Sequence, residues 1–404
     1  MSAVASTEHT ILAVTGNEAA AEAMRQVNPD VVAAYPITPQ TEVVQLYAQL
    51  VADGKVDTEF ITVESEHSAM SAVIGSAAAG ARTMTATSSQ GFALMWEVLY
   101  VAASYRLPIV MTTVNRALSG PINIHCDHSD TMGGRDSGWI QLYGENHQEA
   151  YDNLIMGVRI AEHLDVRTPV MNMYDGYVIS GAIGPLEMLT DEQVKQFIGP
   201  YKAINPLLDI EHPVTVGPFD GLHGYYFEHK VAQNRAMARA LGVIDEVAAE
   251  YAELSGRHYG LLDPYRIEDA DVAIVVVGST AGTTRMVVDK LREQGVKAGM
   301  VRVRALRPFP AAAYADALKS CKVVGVMDRA DSFGAQGGPV FLEVRSALYD
   351  CDPRPQIVPF IYGLGGRDIF LDNIEEAFDV LLGGLKGKRL PVERTYLNIR
   401  KDRV

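Results

Sequence analysis

Through the first 180 residues, short apolar runs alternate with longer stretches of helical periodicity. Thr10–Val14 reads as a strand, and Thr15-Gly16-Asn17-Glu18 opens an Ala-rich helix running to about Gln26. Val31–Tyr35 is a second strand, followed by a Pro-bounded turn and a helix from about Gln40 to Ala52. Phe60–Val63 leads into a helix over Ser65–Ala81. Thr83–Ala86 is followed by a turn at Ser88–Gly91 and a helix over Phe92–Ala103, and Pro108–Thr113 is a fifth strand. Strands alternating with helices of about ten residues or more predict an α/β fold with a parallel sheet covered on both faces.

The rhythm breaks between about Pro185 and Pro264. Gly199 to Gly224 is rich in Pro and Gly and precedes a polar helix, roughly Phe227–Leu254. This segment reads as an arm or connector rather than an independent core. Tyr225, Tyr226 and Phe227 are costly to leave exposed, which argues against a disordered linker. The α/β rhythm restarts with the apolar strand Asp271–Val277, the turn Gly278-Ser279-Thr280, a helix to Gln294, and strands Ala298–Val303 and Lys322–Met327. The expected organisation is a first domain over 1–184, a connector over 185–264 and a smaller α/β domain over 265–404.

A chain of 404 residues has room for two or three such units, and 48% hydrophobic with 21% charged residues is ordinary for a globular protein. The formal charge of −15 repels phosphate backbones, so neither nucleic acid nor an anionic membrane is an expected partner. The three cysteines, Cys126, Cys321 and Cys351, are widely spaced and offer no iron–sulfur or zinc framework. The first residues lack a secretory pattern and no apolar run spans a membrane, so a cytoplasmic enzyme or enzyme subunit is expected.

The usual phosphate loop, HExxH, GxSxG and GxGxxG motifs are absent. Gly278–Gly282 follows a strand and is either a phosphate-binding helix start or a tight turn. Tyr35-Pro36-Ile37-Thr38-Pro39 is held rigid by two prolines beyond a strand's carboxyl end, where parallel sheets bind ligands. Alone, it reads better as a helix cap, Thr38 before Pro39. Glu66 falls in a helix's first turn, where an acid either complements the macrodipole or reaches a buried heterocycle. The small residues after it, Ala69 to Gly80, suit either a buried helix or a tight subunit seam. Arg116, just after the fifth strand, either grips a carboxylate or forms a surface ion pair. The segment His125–Asp130 is dense in ligand types but has no known metal spacing, and no metal is assigned there.

Taken together, the stretches AYPITPQTE (34–42), ESEHSAMSAVIGSAAAGAR (64–82), TSSQGFALMWE (87–97), VNRALSGPINIHCDHSD (114–130), RDSGWIQLYGENHQEAYD (135–152), YDGY (174–177), RALRPFP (304–310) and SFGAQGGP (332–339) resemble the alpha subunit of the 2-oxoacid:ferredoxin oxidoreductases, nearest the pyruvate branch. The resemblance implies a thiamine-diphosphate pyrimidine-type domain followed by a transketolase C-terminal-like domain. It implies thiamine-dependent oxidative decarboxylation of pyruvate to acetyl-coenzyme A and carbon dioxide, with ferredoxin as electron acceptor. By the same resemblance Glu66 binds the aminopyrimidine and promotes its imino tautomer, while Thr38 and Arg116 hold the substrate. Tyr35, Pro36 and Ile37 pack beside the cofactor, and Ser89 and Gln90 line the same pocket. Glu64 competes for the Glu66 role. No GDG motif with a downstream Asn occurs, so magnesium and the pyrophosphate half of the site are expected on a beta subunit. The 4Fe-4S clusters are expected on partner chains of a complex that also has gamma and delta subunits. Alternatives are a branched-chain 2-oxoacid or oxalate as substrate, a 2-oxoacid dehydrogenase beta-type subunit, and a non-catalytic assembly subunit.

Overall fold

The structure is a computed structural model that describes residues 10–217, 219–400 and 402. In chain order the strands are β1 (Thr10–Thr15), β2 (Val31–Ala34), β3 (Glu59–Thr62), β4 (Thr83–Thr87), β5 (Val110–Asn115), β6 (Ile140–Tyr143), β7 (Val170–Asp175) and β8 (Ile183–Met188). They continue with β9 (Leu262–Tyr265), β10 (Val272–Val277), β11 (Ala298–Val303), β12 (Ala305–Arg307), β13 (Val323–Asp328), β14 (Gln356–Ile361) and β15 (Thr395–Tyr396). A seven-stranded sheet has the order β12-β6-β7-β5-β4-β2-β3, and a six-stranded sheet the order β15-β14-β13-β10-β11-β9. Within the first, the pairs from β6 to β3 are parallel. Parallel strands need crossovers, and the helices Gly16–Val27, Thr41–Ala52, Glu66–Ala79 and His147–Glu162 supply cover for the sheet. The chain is thus α/β, as the alternating pattern predicts.

Local chemistry fixes several element ends. Thr15 and Glu18 form a reciprocal capping box at the start of the Ala-rich helix Gly16–Val27. Ser65 accepts from the Ser68 N–H to open the helix Glu66–Ala79, and Gly80, at φ 113°, closes it. Helix Thr41–Ala52 starts instead from Gln40, without a side-chain cap. The cap expected from Thr38 is therefore not formed: Thr38, Pro39 and Gln40 make a turn ahead of the helix.

Other expectations need correction. β1 is not part of the parallel sheet but pairs antiparallel with β8 in a separate two-stranded ribbon. The turn expected at Ser88–Gly91 is largely the short helix Ser89–Leu94, and the single helix expected after it restarts at Trp96–Ser104. The long helix Tyr226–Ser255 places Ala240, Val243, Ile244, Val247 and Tyr251 in the core beneath the first sheet. The aromatic residues before and at its start remain uncovered: Tyr225 is 70% and Phe227 74% exposed. Among the described residues, no helix is long and apolar enough to cross a membrane.

The two large sheets are not separate bodies. β12, from the RALRPFP segment, leaves the second sheet's sequence neighbourhood and pairs antiparallel with β6 at the edge of the first. One apolar cluster runs from Ala69, Met70 and Phe92 through Met173 to Val275, Val303 and Phe341. A buried polar seam accompanies it. Arg302 on β11 grips Glu149 with two bonds of 2.8 Å, and Arg304 reaches the same carboxylate. Burial resists ionisation of Glu149, but the two guanidiniums outweigh it and hold its carboxyl below the usual range.

Candidate active site

The candidate residues lie where five parallel strands end. Tyr35–Pro39 follows β2, Glu66 follows β3, Ser89 and Gln90 follow β4, Arg116 follows β5, and Asp175 ends β7. Open α/β sheets bind ligands at these carboxyl ends because the loops there converge.

The YPITP turn is held from three sides. Asn17 donates to the Pro39 carbonyl at 2.8 Å, and Tyr174 in turn donates to Asn17 at 3.0 Å. Arg116 Nη1 donates to the Thr38 carbonyl at 2.8 Å. Gly176 of the YDGY segment completes the hold. A Cβ there would sit 2.4 Å from the Asn115 carbonyl oxygen and 2.9 Å from Pro39 Cγ. Tyr35, Pro36 and Thr38 stay exposed, while Ile37 is half-buried.

Arg116 is buried, so the surface ion pair weighed for it does not exist. Its Nε donates to the Asn123 carbonyl at 3.1 Å and its Nη1 to Thr38. Among the described residues no carboxylate lies within ion-pairing distance. A guanidinium bonded only to carbonyls has further N–H donors to offer an anion.

Glu66 is buried at the head of its helix, facing Gly91. A Cβ on Gly91 would lie 2.6 Å from Glu66 Oε1 and 2.5 Å from Thr87 Oγ1. Only glycine leaves room for the carboxylate there. Burial raises the Glu66 carboxyl above its ordinary range, offset in part by its own backbone N–H. The competing Glu64 is exposed and accepts from Ser68 Oγ at 2.5 Å, which lowers its carboxyl.

Asp130 ties these parts together, and the sequence did not single it out. Its Oδ2 accepts from the backbone N–H of Ser89 at 3.1 Å and of Arg116 at 3.0 Å. Its Oδ1 accepts from Asn115 Nδ2 at 2.9 Å and from the Thr131 N–H at 2.7 Å. Burial pushes this carboxyl up to about 6 against the pull of those four bonds. Ser89 is held at φ 44°, unusual for a residue with a Cβ, and its hydroxyl donates to the Ala117 carbonyl at 2.6 Å. Ser89 is thus wholly buried and spent on structure, whereas half-buried Gln90 reaches Ser119. The signal for Asp130 was the polar density of His125–Asp130, which sequence alone left without a role.

The same loop joins the two sheets. His128 Nε2 lies 2.7 Å from Asp175 Oδ1, and Arg329 donates to Asp175 Oδ2 at 2.8 Å. Ser279 adds its N–H at 3.1 Å and its hydroxyl at 2.6 Å. Burial alone would raise Asp175, but His128 and Arg329 with Ser279 hold its carboxyl well below the usual range. Cys126, His128 and Asp175 lie close enough to hold a cation. A metal there would meet the Arg329 guanidinium, and burial keeps the Cys126 thiol protonated, so the donor set does not suit one. The phosphate reading of Gly278–Gly282 falls for a related reason: the turn ahead of that helix is filled by the Asp175 carboxylate.

The chain matches the family model for pyruvate flavodoxin/ferredoxin oxidoreductase, thiamine diphosphate-binding, over residues 22–249. It also matches the pyruvate:ferredoxin oxidoreductase core domain II over residues 270–374. It belongs to the pyruvate:ferredoxin oxidoreductase family. Pyruvate synthase subunit PorA of Thermotoga maritima is 56% identical over 390 residues, which cover 96% of this chain and 98% of that protein. Pyruvate synthase subunit PorA of Methanocaldococcus jannaschii is 46% identical, over 90% of this chain and 92% of that one. In fold, the chain is similar to a 2-oxoglutarate:ferredoxin oxidoreductase from Magnetococcus marinus, with a TM-score of 0.69 at 22% identity. That alignment covers 91% of this chain and 65% of the larger one.

Proposed function

We propose that this chain is the alpha subunit of a heteromeric pyruvate:ferredoxin oxidoreductase and supplies the aminopyrimidine-binding, substrate-gripping half of a thiamine diphosphate site. The observation that supports the site assignment is the Asp130 carboxylate, which locks the loop of Arg116 to the start of the helix that carries Gly91, while Arg116 itself holds the Thr38 carbonyl. Family membership supports the reaction, and relatives that are themselves subunits support a multi-subunit assembly. The beta, gamma and delta chains, with magnesium and the 4Fe-4S clusters placed on them, complete this reading. So do ferredoxin and coenzyme A as reaction partners.

The residues fit the cofactor's chemistry. Glu66 is buried, has no ion-pair partner among the described residues, and lies against the space that Gly91 leaves free. A carboxyl raised by burial shares a proton readily with a ring nitrogen, which is the task an aminopyrimidine sets it. When bound, thiamine diphosphate supplies a carbanion for the keto carbon and takes up the electron pair that carbon dioxide leaves behind. Arg116 offers its remaining N–H donors to the carboxylate of the 2-oxoacid, and the exposed Thr38 hydroxyl orients the carbonyl oxygen. Tyr35, Pro36 and Ile37 form the adjoining wall. Gln90 flanks it, and Ser89 acts through the backbone rather than through its buried hydroxyl.

The test uses the assembled complex with its partner subunits. Glu66→Gln is expected to abolish pyruvate-dependent ferredoxin reduction, and Arg116→Gln to raise the KM for pyruvate at least tenfold. Normal turnover in Glu66→Gln overturns the assignment of the base. The chain without its partners is expected to be inactive, so pyruvate decarboxylation by the purified single chain refutes the shared site.

A further inference from the structure

The chain is acidic overall, yet its last residues are not. From 386 onward there are seven basic residues, Lys386, Lys388, Arg389, Arg394, Arg400, Lys401 and Arg403, against Glu393 and Asp402. Part of this charge gathers in a cleft of about 710 Å³ in the second domain. Arg345, Arg354, Lys388 and Arg389 line it, and no carboxylate does. Elsewhere in this chain arginines such as Arg25, Arg82, Arg257 and Arg285 face carboxylates. The four cleft cations have none within 4.0 Å among the described residues.

Two of the guanidiniums are already positioned. Arg345 donates to Gln336 Oε1 at 2.6 Å and lies 5.9 Å from the centre of the Phe341 ring. Arg354 donates to the Tyr349 carbonyl at 2.9 Å and lies 5.1 Å from the Tyr349 ring centre. That tyrosine ring is 67% exposed at the cleft's rim. The bland account is that cations cluster at helix C-termini, and helices Pro339–Ala347 and Leu371–Leu385 do end here. Each such end is equivalent to about half a negative charge, so two ends balance roughly one of the four cations. All four side chains are exposed, so water solvates the rest of this charge and leaves their donors open to an incoming anion.

We propose that this cleft is a binding site for a free nucleoside di- or triphosphate, with the phosphates on Arg345, Arg354, Lys388 and Arg389 and the base against Tyr349. The concave shape favours a small ligand over an acidic protein surface, since ligand sites commonly enclose about 300–1,000 Å³. Planar guanidiniums suit phosphate oxygens in pairs, and an exposed ring beside them suits a base. The cleft opens at Gln356, the first residue of β14, whereas Gly365, beyond the other end of that strand, meets Asn123 and Asp127 of the loop that carries Arg116. A six-residue strand separates the two by about 20 Å, so this site is distinct from the one around Glu66.

The experiment is calorimetric titration of the full-length chain with ATP, ADP, pyrophosphate and coenzyme A. It reads binding alone, so its outcome does not depend on the catalytic reading. ATP and ADP are expected to bind saturably, and the double variant R345Q/R389Q to weaken both at least tenfold with an unchanged circular dichroism spectrum. Tyr349→Ala should weaken ADP while leaving pyrophosphate unaffected. Absence of nucleotide binding, or nucleotide affinity unchanged in the double variant, overturns the proposal. Equal affinity for ADP and pyrophosphate overturns the place given to the base. Tighter binding of coenzyme A than of either nucleotide, lost in the double variant, overturns the choice of a free nucleotide.

Discussion

Gly91→Ala tests whether the space beside Glu66 is functional. The added methyl would lie 2.6 Å from Glu66 Oε1 and 2.5 Å from Thr87 Oγ1. Normal contact requires each oxygen to retreat by roughly half an ångström or more, the scale on which cores resist extra methylenes. Glu66 Oε1 is the free end of a flexible side chain and can turn away, but Glu66 Cγ at 2.7 Å and the buried Thr87 hydroxyl have less freedom. The stability loss is therefore expected within the overpacking range, about 1–3 kcal/mol. Catalysis is less forgiving. A misplacement of about 1 Å can cost about 10²-fold in rate, so half of that predicts a loss of roughly tenfold. The assay is pyruvate-dependent reduction of ferredoxin by the assembled complex, with thiamine diphosphate affinity measured in parallel. The variant is expected to show a reduced kcat and weaker cofactor binding, with a stability loss of that size in urea unfolding. A kcat within twofold of the parent, with cofactor affinity unchanged, refutes the claim that Glu66 and Gly91 frame the cofactor.

Three further outcomes follow from the same geometry. Asp175→Asn leaves Arg329 buried without its counter-charge, and urea unfolding should report a loss of about 3–5 kcal/mol; less than about 1 kcal/mol would contradict the clamp. Gly75→Ala, on a helix where nothing lies within 4 Å of the new methyl, should stabilise the isolated chain by about 0.4–1 kcal/mol in the same measurement. Burial lifts Asp328 to about 7 and Asp130 to about 6, against an unfolded value of about 3.9. The folded chain then binds more protons than the unfolded one between about pH 4 and 7, so these two groups make stability fall as pH rises through that window. Asp328→Asn should flatten the slope of unfolding free energy against pH.

Four strands of the first large sheet, β2 to β5, and three of the second, β10, β11 and β13, were legible as short apolar runs, as Val272–Val277 shows, whereas β6, β7, β9, β12, β14 and β15 were not picked out. The polar register of β8, with Gly184 and Pro185 in its interior, gave no such sign, and so the ribbon it forms with β1 was not foreseen. Ser88–Gly91 looked like a turn because Ser and Gly favour turns. The helix starts instead at Ser89, which Asp130 and Ala117 hold at a left-handed φ that no local propensity favours. Glu66, Thr38 and Arg116 stood out in the sequence through their places after strands. Asp130 could not, since its four bonds come from residues up to 41 positions away and three of the donors are backbone N–H groups. Such a role depends on tertiary folding and leaves no local pattern. The aromatic segment at Tyr225–Phe227 failed in the other direction: its apolar surface suggested cover, yet all three rings stay exposed.

The strand β12 bears on how such a chain can be divided or recombined. It belongs by sequence to the second half and by pairing to the first. A fragment ending near residue 264 would bare the backbone edge of β6, and an unpaired edge of buried residues invites association with other chains. A fragment beginning there would carry a strand with no sheet to join. Swapping the second domain between relatives therefore succeeds only if Ala305–Arg307 and the β6 it meets travel as a matched pair. The boundary that matters for inheritance and for engineering is a hydrogen-bonded seam inside the large sheet, displaced by some forty residues from the place where the linear pattern changes.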